Sequence, residues 1–172
     1  MVRPYDPDTD AEALWEAKRA FELGLGSGTG GDDKRAKYEG KLTDDYRESW
    51  FAWVDRCVTD DERCILVEPE GDEGPDDGDD PVDALAGYVF VLPERLAHVW
   101  DAAVLNELWV APAHRGTGVA DDLMDEAVAF ARSQDLPLDR LVLDVDRENE
   151  RARAFYERHG FAHWGEMVAR EL

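Results

Sequence analysis

Apolar positions recur along this chain with two different periods. In "DPDTDAEALWEAKRAFEL" (residues 6–23) Ala11, Leu14, Trp15, Lys18 and Phe21 follow helical spacing behind a capping Asp or Thr. This predicts a helix that the following "GLGSGTGG" breaks. A second helix is predicted over "LTDDYRESWFAWVDRC", with Thr43 as N-cap, acids in the first turn, and Tyr46, Trp50, Trp53, Val54 and Cys57 on a broad apolar side. Shorter β-prone runs flank and follow these helices. They are "VRPY" at the start, then "RCILVE", "ALAGYVFVL", "AAVLNELWV" and "RLVLDV", with "FAHWGEMVARE" closing as one or two strands. Two further helices are expected, one from roughly Gly116 to Ser133 and one over "NERARAFYERHG". The first of these turns Ala120, Leu123, Met124, Ala127 and Ala131 inward. An order of strand, two helices, three adjacent strands, then alternating helix and strand predicts a mixed α/β sheet of the α+β kind, with helices on both faces.

With 172 residues and 44% hydrophobic content, the chain suits one globular domain over 1–172. The stretch at about 69–83, rich in acids, Pro and Gly, is expected to be a solvated hairpin insertion, since it lacks a calcium-loop register. Charge changes the picture more. The 41 acids against 19 Lys+Arg give a net charge of −22, and only Lys18, Lys34, Lys37 and Lys41 are lysines. Acids lie in nearly every segment. That distribution favours an acidic coat suited to a salt-rich cytoplasm, as in a halophile, over a dedicated surface for a cationic partner. It argues against a nucleic-acid binder, which needs a basic stripe. Cys57 and Cys64 have neither a redox nor a zinc spacing, so two reduced thiols and no metal are expected. No apolar run resembles a signal peptide or a membrane span, which leads to a cytoplasmic, non-membrane expectation.

Two stretches carry candidate chemistry, and one is a decoy. "GSGTGG" formally matches a dinucleotide fingerprint, but it follows a helix where the fingerprint must follow a strand. The stretch Arg115-Gly116-Thr117-Gly118-Val119-Ala120 follows the β-prone "LNELWV" and opens a helix. Glycines there let backbone amides approach an anion at the positive end of the helix dipole, and Arg115 adds a charge-assisted contact. Further on, Asn149 and Tyr156 stand seven positions apart, almost two helical turns, on one predicted face with the small Ala152 between them.

These residues resemble the GNAT family of N-acetyltransferases. Arg115 to Ala120 is similar to its R/Q-x-x-G-x-G/A signature. Asn149, Ala152, Phe155, Tyr156 and Gly160-Phe161 are similar to its second block, N-x-x-A-x-x-x-Y…G-F. The resemblance covers residues 104 to 165 well, and the order of elements extends it over the chain. It implies a mostly antiparallel sheet with a V-shaped splay, into which acetyl-CoA inserts beside a free strand edge. It also implies transfer of the acetyl group to a primary amine, in one ternary complex. Backbone groups of Leu108, Trp109 and Val110 would bond the pantetheine arm, amides of Arg115 to Ala120 would hold the pyrophosphate, and Asn149 would steady the arm. Tyr156 would protonate the departing sulfur, and an amide near Val110 would face the developing oxyanion. Either Glu107 or Asp144 would be the base. A homodimer is compatible with the family. The alternative is a non-catalytic acyl-CoA sensor on the same fold. For the acceptor cleft Trp15, Tyr46, Trp50 and Trp53 are candidates, although aromatic helix faces are more often core.

Overall fold

A computed structural model describes residues 1–28, 31–71 and 84–170. Five strands form one sheet in the order β1-β2-β3-β4-β5. They are β1 (Arg3–Pro4), β2 (Ile65–Pro69), β3 (Leu85–Val91), β4 (Ala103–Val110) and β5 (Leu141–Val142). The first four pair antiparallel and β5 joins β4 in parallel. The continuous apolar run of β3 is buried along its whole length, as a strand covered on both faces requires.

Alternation along β3 shows which helix covers which face. A Cβ at Gly87 would come within 2.9 Å of Leu123 and 3.2 Å of Val119, so that face carries α4 (Val119–Ser133). It would also lie 2.8 Å from the Trp109 carbonyl oxygen, so glycine lets strand and helix close up here. Its neighbour Tyr88 points to the opposite face and meets Glu107, which Lys18 of α1 (Ala11–Gly28) also reaches. On this second face Trp53 of α3 (Asp44–Asp60) packs 4.9 Å from Phe90. Thr43 caps α3, its side chain accepting from the Tyr46 N–H. Cys57 of α3 and Cys64, just before β2, are buried free thiols, and burial pushes the pKa of Cys64 up to about 12.

Several expectations need correction. The helix α1 does not break at residue 24; it runs to Gly28, because the glycines of its last turn still satisfy helical bonding. A helix α2 (Gly31–Lys41) stands where sequence reading assigned no element. It lacks an apolar stripe and is held instead by packing on α1, by Lys34 pairing with Asp146 at 2.9 Å, and by Lys41 pairing with Glu22 at 2.7 Å. The glycine-rich decoy therefore connects two helices, with residues 29–30 outside the described ones. "RLVLDV" forms only the two-residue β5, and residues 161–170 carry no strand. Trp164 of that segment lies instead under the Arg140 guanidinium, 3.7 Å from its ring centre. Of the acidic insertion expected at about 69–83, Pro69 ends β2 and residues 72–83 lie outside the described residues. Its flanks meet where the Glu70 N–H donates to the Ala84 carbonyl at 2.8 Å.

Candidate functional site

The site is built where β4 leaves β5. Opposite β4, Phe90 pairs with Glu107 while Val91 pairs with Leu105, so Asn106 is an extra residue on β4. Such a bulge bends and twists its strand. Pairing with β5 is confined to Ala103–Leu141 and Val104–Val142, just before the bulge. Beyond it β5 ends and the outer edge of β4 has no partner strand among the described residues. The Ala111 N–H donates to the Ala86 carbonyl of β3, so strand alternation turns the peptide groups of Leu108 and Val110 away from β3, toward the gap. Trp109 has the opposite parity and faces β3 with its backbone, so the free edge groups are those of Leu108 and the N–H of Val110, whose carbonyl is taken by Arg115.

The turn after β4 is bent back onto this edge. The Arg115 Nε donates to the Val110 carbonyl at 3.1 Å, and both the amide and the hydroxyl of Thr117 donate to the His114 carbonyl. Gly116 (φ 85°) and Gly118 (φ 104°) both adopt left-handed backbone that side-chain-bearing residues disfavour. A Cβ at either would meet nothing within 4 Å, so the space above the turn is open. Gly118 is the N-cap of α4, and its carbonyl accepts from the amides of Asp121 and Asp122. The amides of Gly116, Gly118, Val119 and Ala120 have no backbone acceptor among the described residues. They form a bare cluster of donors at a helix N-terminus, which fits a phosphate-bearing ligand.

Helix α5 (Glu150–Arg158) supplies the other wall. Asn149 is its N-cap; its Oδ1 accepts from the Ala152 N–H at 3.1 Å, so the side chain turns back onto its own helix. Tyr156 is half-buried between Phe155 and Phe161, ring centres 5.5 and 5.6 Å away. Its hydroxyl has no hydrogen-bond partner among the described residues, and burial pushes its pKa up to about 12. The end of α5 is tied to the start of α4, since Arg158 and His159 both contact Asp121 at 2.8 Å. Asp144 lies just beyond β5 and is exposed.

Glu107 has a different setting. It is 4% exposed and accepts from Lys18 Nζ at 2.5 Å, Tyr88 Oη at 2.8 Å and Asn106 Nδ2 at 3.2 Å. Lys18 in turn pairs with Glu22 at 2.6 Å. Burial alone would lower the Lys18 pKa, but Glu107 and Glu22 outweigh it and hold the ammonium above the usual lysine range. Burial would raise Glu22, and Lys18 and Lys41 hold it below the carboxylate range instead. Sequence reading did not anticipate this cluster. Its signal was present: Lys18 is one of four lysines and sits within the apolar spacing of α1.

Among the described residues no group of three or more His, Cys, Asp or Glu is placed to hold a metal ion, and no helix is long and apolar enough to cross a membrane.

A sheet opened at a bulge, with a glycine turn of unpaired amides leading into a helix, is the architecture of an acyl-CoA-dependent transferase fold. The profile of the Acetyltransferase (GNAT) family matches residues 31–161, and the chain belongs to that family. Among solved structures it is similar to the PaiA N-acetyltransferase of Thermoplasma acidophilum in complex with coenzyme A. That likeness has a TM-score of 0.65 and 17% identity, over 94% of this chain and 89% of the other. A GCN5-related N-acetyltransferase from Ralstonia eutropha gives a TM-score of 0.64 at 17% identity, over 99% and 97%. Two curated relatives are more similar in sequence over shorter spans. A 5-NmdU N-acetyltransferase of Pseudomonas phage PaMx11 is 38% identical over 68 residues, 40% of this chain and 45% of the relative. A mycothiol acetyltransferase of Salinispora tropica is 36% identical over 96 residues, 54% and 30% respectively. The matches thus span less than half the length of either curated relative.

Proposed function

We propose that the protein transfers an acetyl group from acetyl-CoA directly to a primary amine. The observation that carries this reading is the free edge of β4 running into the bare amides at Gly116, Gly118, Val119 and Ala120. Pantetheine is a string of amides that such an edge pairs, and a pyrophosphate suits the donors at the start of α4. Acetyl-CoA supplies an activated acyl carbon and a thiolate leaving group; the rest falls to the chain. Outward backbone groups of Leu108 and Val110 hold the arm, and an outward amide near Val110 faces the carbonyl oxygen as charge develops there. Trp109, by its parity, orders this segment against β3. Arg115, Thr117 and the two glycines keep the turn in the shape that exposes its amides.

Asn149 serves by fixing the start of α5, and so the position of the wall that carries Tyr156. The Tyr156 hydroxyl is free to donate a proton to the leaving sulfur. Glu107 is the weaker of the two candidate bases, since its oxygens are committed to Lys18, Tyr88 and Asn106. Asp144 is accessible and acts, if at all, through water.

Calorimetric titration with acetyl-CoA, combined with a thiol-release assay over a broad set of amines and peptides, tests the reading. Binding with amine-dependent release of CoA is expected. Binding without release from any amine would convert the protein to an acyl-CoA sensor.

A further inference from the structure

The buried cluster on the α1 face bears on which amine is acetylated, and the inference rests on the acetyl-transfer reading above. We propose that the acceptor is a weakly basic amine, an α-amino or amino-sugar group that arrives largely uncharged, because the only carboxylate on β4 already holds an ammonium of the protein's own.

Attack on a thioester needs an amine lone pair. A strongly basic amine is almost wholly protonated near neutral pH, so the protein must supply a group that takes the proton. Glu107 is the acid that β4 offers, and it is not free. Oε1 accepts from Lys18 and Asn106, and Oε2 from Tyr88. Behind it the Lys18 ammonium is shared with Glu22, which meets Lys41 at 2.7 Å and the Tyr46 hydroxyl at 3.5 Å. Two ammonium groups and two carboxylates thus balance, across α1, α2, α3, β3 and β4. The rings of Phe21 and Trp50 stand 5.3 and 5.5 Å from the Lys18 nitrogen, and Lys18 is 3% exposed. This is a complete ammonium cage, already filled from within. Drawing Glu107 away from Lys18 would leave the buried ammonium with Glu22 as its one remaining carboxylate among the described residues. The cluster also has no net negative charge with which to draw in a substrate ammonium. Asp144 is exposed just beyond β5 and is not part of this cluster.

The difference between amine classes follows from their ordinary pKa values, about 7.7–8.0 for an α-amine and about 10.4 for a lysine side chain. At pH 7 the uncharged fraction of the first exceeds that of the second by roughly 300-fold, and at pH 9 by roughly 25-fold. The greater nucleophilicity of the more basic amine offsets part of this.

The experiment uses the full chain with acetyl-CoA at pH 7 and pH 9, reading thiol release and product mass. Glucosamine and alanine amide are compared with propylamine and Nα-acetyl-lysine amide. A peptide carrying both a free α-amine and a lysine gives the preference within one molecule. Expected is a preference for the weakly basic amine of at least about 30-fold at pH 7, narrowing about tenfold by pH 9. Equal or reversed preference at pH 7 overturns the inference while leaving acetyl transfer intact. Absence of thiol release with every amine at both pH values, although acetyl-CoA binds, removes the transfer reading and this inference with it.

Discussion

Tyr156 is a phenol whose hydroxyl makes no hydrogen bond among the described residues and whose pKa burial pushes up to about 12. A group so protonated is a ready donor at neutral pH. Tyr156→Phe keeps the ring between Phe155 and Phe161 and is expected to lower kcat by roughly 10²- to 10⁴-fold, with the KM for acetyl-CoA little changed. Steady-state kinetics on the folded variant checks this; unchanged kcat would reduce Tyr156 to packing. The same shift has a sign in stability. Because the folded value lies above the ordinary 10.0, the contribution of Tyr156 is complete below pH 10 and lost as pH rises toward 12. Lys18 gives a second test. Lys18→Met leaves Glu107 without its ammonium in the interior and is expected to cost about 3–5 kcal/mol in chemical denaturation. Adding Glu107→Gln should restore part of that loss, and failure to do so would remove the pair as a unit. The candidate donor at Tyr156 came from the family resemblance, since its spacing fitted a packing aromatic as well. Glu107 was legible as a carboxylate on the right strand, but its commitment to Lys18 was not, since the partners lie 89 positions apart.

The glycine turn belongs to the scale of elements, because it decides how β4 becomes α4. Gly118 has a positive φ, so any substitution mixes backbone strain with blockage of the open space above it. Asparagine tolerates left-handed backbone better than other side chains. Gly118→Asn should therefore keep a melting temperature near that of the parent while weakening acetyl-CoA binding more than tenfold by calorimetry, and Gly118→Val should lose both. Parent-like affinity in folded Gly118→Asn would remove the turn from the cofactor site. At this scale the sequence was most informative where a long apolar pattern faced a core, as in β3, α3 and α4. It failed for α2, whose "GDDKRAKYEGK" has no apolar face and is held by ion pairs to distant residues. It also overstated the C-terminal strands, where β-prone residues meet no partner strand and Trp164 packs under Arg140 instead.

For the molecule as a whole, the dominant quantity is the net charge of −22. Many of the ion pairs are exposed ones such as Arg19–Glu16 and Arg35–Glu39, worth little individually and unable to offset an excess of acids this large. Self-repulsion among the surface carboxylates should fall as salt screens them. The melting temperature is expected to rise from low to molar potassium chloride, read by scanning calorimetry or fluorescence. A steady fall would argue for a specific cationic partner instead of an acidic coat. The fold class was legible because two short motifs and the order of elements agreed. The acceptor was not, because the α1 and α3 aromatics that sequence reading offered for its cleft are largely spent on one another, with Trp15 6.1 Å from Trp50 and 6.4 Å from Tyr46.

The unpaired edge of β4 also works as a ruler. The edge is free beside the glycine turn and paired where Val104 meets Val142. Six residues at no more than about 3.3 Å each, one of them bulged at Asn106, make that edge shorter than roughly 20 Å. If, as proposed, the phosphates sit at Gly116 to Ala120 and the thioester carbonyl near Val110, the acyl group points along this edge toward its paired end. Acetyl and propionyl differ by one carbon and should both be accommodated. An octanoyl chain would run into the paired end of the strands, so competition for binding between these acyl-CoAs measures where the free edge ends.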